Sequence, residues 1–243
     1  FAIGIQYNKL AVPDSAEFYM EKALDYTENY PLQHAKMYLN LAINYRIGSQ
    51  YQESLQASEN AIEQFKKAGN QEGVGKAYGE MASNYNYMKN SEMALEYLKK
   101  AIAILKKSGS ERELSVVRQK LANLYYNNSN FAFARDIYEE ILPVFAKEKG
   151  TNYYVTLLSY ADCLLQLEEN YKEAEEALKE AENAFKEMNQ KEYMWIAVSN
   201  LAQVYVAMGK SQQAQEAFQR AYDGMYQISS PRFLETSVRY LDF

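Results

Sequence analysis

The stretch Tyr38-Leu39-Asn40-Leu41-Ala42-Ile43-Asn44-Tyr45 decides the fold. It reads as a large residue, then a large-small pair four later, then a tyrosine three beyond the small residue. Offsets of three and four place these side chains on one face of a helix. The same pattern returns along the chain. The small residue recurs at Ala82, Ala122, Ala161 and Ala202, spaced 40, 40, 39 and 41 residues apart. Three beyond each comes Tyr85, Tyr125, Leu164 or Tyr205. Four before each comes Tyr78, Arg118, Leu157 or Val198, with Arg118 the misfit. A period near forty is the mark of a repeat array.

A second segment follows in every repeat. Its small residue is Ser54, Ala94, Ala134, Ala174 or Ala214. Large or small apolar positions follow four and seven residues later, as in Leu98 and Ala101, or Phe218 and Ala221. Small residues at a crossing point let two helices approach; large ones fill the space beside them. Short polar stretches such as Gly48-Ser49-Gln50 and Lys89-Asn90 separate the two helices. Others, such as Ala68-Gly69-Asn70 and Lys149-Gly150-Thr151, separate the repeats. Each is read as a helix end with a residue that tolerates positive φ.

Composition agrees. In 243 residues there are only 10 Gly and 4 Pro, too few for a β protein with frequent turns. One Cys (Cys163) excludes a disulfide framework and a multi-thiolate metal site, and one His (His34) excludes two-His metal motifs. The net charge of −6 argues against a nucleic-acid surface. No apolar run reaches the ~18 residues of a membrane span. No cofactor, metal or catalytic constellation is expected, and the chain is read as non-enzymatic. Cytoplasm and periplasm are both compatible with it.

The pattern resembles the tetratricopeptide repeat: large residue, large-small pair, Tyr, and a second small residue twelve beyond the first. The match is 42 to 54, 82 to 94, 122 to 134 and 202 to 214; 161 to 174 carries one extra residue, placed in Glu168-Glu169-Asn170. The family's usual period is about 34. Repeats near forty are similar to the longer-helix variant of bacterial signalling regulators. The resemblance implies an all-α chain, an α-α superhelix of antiparallel helix pairs. The expected repeats run over about 1–31, 35–74, 75–114, 115–153, 154–194 and 195–230, with 231–243 opening a further repeat or forming a cap. Ile3-Gly4, Tyr7 and Ala16 fit a first repeat that lacks its start. Phe233, Leu234, Tyr240, Leu241 and Phe243 leave an apolar end. Both ends are therefore read as cut from a longer protein, and as a surface for a homodimer.

The resemblance also places a concave groove on the first helix of each repeat. The expected groove residues are Asn40, Arg46, Lys76, Asn86, Tyr87, Lys120, Asn123, Tyr126, Asp162, Asn200 and Gln203. Amides offer a donor and an acceptor to an extended peptide backbone, and tyrosines offer flat amphipathic contact. Lys36, Arg46, Lys76 and Lys120 would tint the N-terminal half basic. Val155, Leu158, Leu165, Ile196 and Val206 make the C-terminal half apolar. A peptide with an acidic and an apolar part fits that gradient. The chaperone-tail clamp of some family members is not matched, because Ile43 and Glu80 stand at positions that should help it. The function expected is a protein- or peptide-binding scaffold, the sensor or interaction region of a larger bacterial regulator with a histidine kinase or transcription factor. The alternative is a free-standing assembly factor or co-chaperone.

Five further features have structural readings. Trp195 is expected to pack between repeats, His34 to be exposed at a helix start, and Cys163 to be a buried neutral thiol. The acidic run Glu173, Glu175, Glu176, Glu180 and Glu182 is expected to be a solvated face. Pro143 should kink or shorten its helix.

Overall fold

A computed structural model describes residues 18, 20, 22–230, 232 and 237–239. Ten helices are described in order: α1 (Pro31–Ile47), α2 (Tyr51–Lys67), α3 (Gln71–Tyr87), α4 (Ser91–Ser108), α5 (Glu111–Asn127), α6 (Phe131–Phe145), α7 (Thr151–Gln166), α8 (Tyr171–Glu187), α9 (Lys191–Ala207) and α10 (Ser211–Gln227). No strand occurs among the described residues. The expected helix-pair positions at Ile3, Gly4, Tyr7 and Ala16, and the apolar residues Phe233, Leu234, Tyr240, Leu241 and Phe243, lie outside the described residues.

The helices fall into two compact units, residues 1–124 and 125–243. In the first, α1 packs on α2, α2 on α3, and α3 on α4. One core there gathers Ala35, Leu55, Ile62, Phe65, Val74 and Met81; the next gathers Ala82, Leu98, Leu105, Val117 and Leu124. Met20 is buried against Leu41. In the second unit α8 packs on both α7 and α9, and α9 on α10.

The small residues do what their spacing requires. Ala42, Ala82, Ala122, Ala161 and Ala202 are all buried, and so are Ser54, Ala94, Ala134, Ala174 and Ala214. Ser54 is the polar member of that set. Its hydroxyl donates to the Ala42 carbonyl at 2.6 Å and accepts from Asn84 Nδ2 at 2.8 Å. Burial of a hydroxyl is tolerated because both of its functions are met.

Four of the five described first helices close on the tyrosine of their pattern, and α7 closes on Leu164. The Gln50, Asn90, Asn130 and Lys210 N–H groups donate to the carbonyls of Tyr45, Tyr85, Tyr125 and Tyr205 at 2.8–2.9 Å. This closure needs a left-handed residue just before the donor. Gly209 supplies it in one turn, but Ser49, Lys89 and Ser129 adopt φ of 62°, 61° and 59° in the others. Gly48, expected in that role, has φ −76°, and Gly150 likewise yields it to Lys149. The α7–α8 turn is one residue longer than its counterparts. It holds two left-handed residues, Glu168 and Asn170, where the extra residue was placed.

Pro143 sits inside α6, which stops at Phe145 after 15 residues, whereas α2 has 17 and α4 has 18. Trp195, expected to pack between repeats, has a contact within its own repeat. Its ring lies against Gly224 of α10, the second helix of its own repeat, where any Cβ would overlap it. His34 is half-buried rather than exposed. Its Nδ1 lies 3.0 Å from the Thr27 hydroxyl, and its ring meets Tyr38 edge-on. Cys163 is buried, and burial, then Asp162, pushes its thiol up to about 12.

The acidic run on α8 is only partly solvated. Glu175 is bonded to Lys179 of its own helix at 2.6 Å and to Lys210 at 2.8 Å. Glu182 pairs with Arg220, and Glu173 accepts from the Tyr160 hydroxyl at 2.9 Å.

Candidate functional site

In the first unit the cations expected in the groove are engaged by carboxylates of the fold. Glu80 on α3 is buried, with 4% of its surface exposed. Arg46 on α1 pairs with one of its carboxylate oxygens, and Lys120 on α5 lies 3.2 Å from the other. Lys120 also donates to the Gly79 carbonyl at 3.0 Å and to the Ser83 hydroxyl at 2.8 Å. Its stem lies over Gly79, which has no side chain to block it. Burial alone would raise the Glu80 carboxyl. Lys120 and Arg46 outweigh it and hold the group below the usual carboxylate range.

The other cations are similarly engaged. Lys76 lies 3.0 Å from both Glu72 and Glu113. The basic tint expected of Arg46, Lys76 and Lys120 is therefore neutralised within the fold. Asn40 donates back to the Lys36 carbonyl at 2.7 Å. Tyr87 is exposed, stacks on Tyr51 and lies under the Arg46 guanidinium at 5.5 Å. Asn86 is half-buried and Asn123 exposed.

The second unit carries the same repeat positions with different side chains. Tyr126 stands where Arg46 stands in the pattern, four past the small residue. Ser159 replaces Glu80, Asp162 replaces Ser83, Leu158 replaces Gly79 and Asn200 replaces Lys120. A short amide in place of a long ammonium does not fill the space in front of it. A cavity of about 360 Å³ remains, at the small end of ligand-sized pockets. Val155, Leu158 and Ile196 give it aliphatic walls; Met225 and Tyr193 add to them.

Its polar groups have defined partners. The Tyr126 hydroxyl donates to Asp162 Oδ2 at 2.5 Å. Burial, then the Asp162 charge, raises the Tyr126 phenol, so it stays a donor. Arg239 Nη1 donates to Asn200 Oδ1 at 3.0 Å. In the amide orientation that satisfies both groups, the Gln203 oxygen accepts from Arg239 Nε at 3.0 Å. Ser199 also lines the cavity. It is 2% exposed, and its hydroxyl has no hydrogen-bond partner among the described residues.

Three of the expected groove residues, Tyr126, Asp162 and Asn200, thus line one cavity, and Gln203 adjoins it through Arg239. Arg232, Arg239, Ser199 and Met225 were not anticipated. A signal for Arg239 existed: it lies 39 residues beyond Asn200, close to one repeat period. Among the described residues no His/Cys/Asp/Glu group could hold a metal ion. Among them, too, no helix is long and apolar enough to cross a membrane.

The tetratricopeptide repeat family matches residues 33–107 and 114–187, and a second form of the same repeat matches 197–223. This chain belongs to the tetratricopeptide repeat family. No curated protein matches it. Solved structures do. A putative kinesin light chain from Podosopora anserina, with nearly identical tetratricopeptide-like repeats, is 20% identical with a TM-score of 0.63, covering 83% of this chain and 99% of that one. A Rap protein complexed with competence and sporulation factor is 13% identical with a TM-score of 0.72, covering 98% of this chain and 72% of that one. A signal-transduction ATPase of the STAND class from Pyrococcus horikoshii, with a tetratricopeptide repeat sensor, is 20% identical with a TM-score of 0.71. That match covers 96% of this chain and 38% of the other. At these identities the likeness is one of fold: an all-α array of helix pairs.

Proposed function

We propose that this tetratricopeptide repeat chain is a non-catalytic scaffold that binds a protein or peptide through the first helices of its repeats, centred on the second unit. One observation carries the reading. Positions closed by Arg46, Glu80 and Lys120 in the first unit are held by Tyr126, Ser159 and Asn200 in the second, and an aliphatic cavity with amide and hydroxyl groups lies there. Such a surface suits an extended segment: side chains enter the cavity while amides meet the backbone. The repeats at about 35–74, 75–114, 115–153, 154–194 and 195–230 are the proposed units of that scaffold. Within this reading the chain serves as the sensor or interaction region of a larger regulator. The Rap complex and the STAND sensor, which share its fold, support that role.

The test is a screen of N-acetylated, C-amidated peptides against the whole chain, followed by titration of the best binder. Asn200→Ala and Tyr126→Phe should each weaken binding by about tenfold with unchanged helical content. Lys120→Met should leave affinity within about twofold. Binding that ignores both second-unit substitutions overturns the proposed site.

A further inference from the structure

The charges around the second-unit cavity are already engaged. Arg232 pairs with Glu192 at 4.0 Å. Arg239 donates to the side-chain oxygens of Asn200 and Gln203. Asp162 accepts from the Tyr126 hydroxyl at 2.5 Å. Two guanidinium groups thus stand with two carboxylates, and each of the four has a partner. An ionic ligand would shed its water without meeting a charge that needs it.

Demand remains among the neutral groups. Ser199 lines the cavity with 2% of its surface exposed, and its hydroxyl has no hydrogen-bond partner among the described residues. Buried hydroxyls nearly always have one. The Asn200 oxygen is taken by Arg239, so its N–H groups are the part left to donate. The Ser159 hydroxyl donates to the Val155 carbonyl at 3.2 Å, which leaves its oxygen able to accept. Val155, Leu158 and Ile196 set an aliphatic wall beside these groups. A water molecule would meet Ser199 but gain nothing from that wall.

We propose that this cavity binds a small uncharged aliphatic alcohol, which makes the second unit a receptor for a free small molecule. A hydroxyl is the smallest head that both accepts and donates. It accepts from Ser199 and Asn200 and donates to Ser159, while the hydrocarbon chain covers Val155, Leu158 and Ile196. The proposal rests on the reading that the second unit carries the binding site, and it names a ligand that needs no peptide backbone.

Ligand-observed NMR titration of the whole chain with straight-chain primary alcohols tests it. Affinity should rise about fourfold per methylene from 1-butanol to 1-hexanol. It should stop rising once the chain outgrows the cavity of about 360 Å³. 1-Hexanol should bind at least about tenfold tighter than hexanoate or hexylamine, which keep the chain and carry a charge. Ser199→Ala should weaken 1-hexanol by about threefold to tenfold. Ser159→Leu, which fills the cavity, should abolish binding with unchanged helical content. Equal or tighter binding of either ion, indifference to both substitutions, or no binding of any alcohol overturns the proposal. If a C-amidated peptide still binds in those cases and remains sensitive to Asn200→Ala, the broader site stands without it; if peptide binding is lost too, both fall.

Discussion

The Lys120 ammonium lies 3.2 Å from a carboxylate oxygen of Glu80, a residue one repeat period earlier that is almost wholly buried. Arg46 holds the other oxygen from the opposite side. Removing one partner of a buried charge cluster strands the others and costs about 3–5 kcal/mol. Glu80→Ala should therefore lower the unfolding free energy by about that much in urea titrations. Replacing Glu63, which is exposed and pairs with Lys67 of its own helix, should leave the urea midpoint unchanged within error.

The same carboxylate gives an acid limb. Its folded value is held below the usual one, so its contribution is fully present above the unfolded carboxyl value of about 4.3. That contribution is lost as pH falls through the folded value, because the unfolded chain then binds more protons. Stability measured from pH 6 down to pH 3 should fall less steeply in Glu80→Gln than in the parent chain. Parallel curves would mean that Glu80 does not contribute.

Trp195 and Gly224 make a second coupled pair. A methyl group on Gly224 would overlap the indole. Gly224→Ala should cost about 1–3 kcal/mol through overpacking, despite alanine's better helix propensity. Trp195→Leu should remove most of that penalty when combined with it. A double-mutant cycle showing additivity would disprove the contact.

Cys163 should be chemically silent in the folded chain. Its thiol is buried and pushed up to about 12, so almost no thiolate exists at pH 8. Labelling by a disulfide reagent should be at least about a hundredfold slower than in urea-unfolded chain. Fast labelling of native protein would contradict the burial.

The fold was legible because its signal repeats. One small residue at Ala42 says little, but ten at matching positions leave few arrangements, and all ten are buried. The extra residue near Glu168 was legible for the same reason. Which residue takes the left-handed turn was not. Ser49 displaces Gly48 because the hydrogen-bonding register of the helix end, rather than glycine's freedom, fixes the position.

The groove was legible as a set of positions and not as a set of free groups. Arg46 and Lys120 were correctly placed on first helices, yet position alone did not reveal that Glu80 would bind both. The clue lay in the period: residues near one repeat apart are neighbours, so opposite charges about 34 or 40 apart should be read as pairs before being offered to a ligand. Asn200 and Tyr126 were identified as groove residues, but the cavity before them came from what is missing, a long side chain in Lys120's position. Arg239 was passed over because its segment was read only for its apolar residues.

The alternation of Arg46, Glu80 and Lys120 also constrains how this chain can change its length. Repeat arrays grow and shrink by whole repeats. Excising 40 residues that contain Glu80 would bring Lys120 into the register of the lost carboxylate, opposite Arg46. Two cations would then meet in a space that now holds a buried anion. The charge order makes this repeat non-interchangeable with its neighbours: a chain shortened here would keep an unbroken helix pattern and still carry the mismatch.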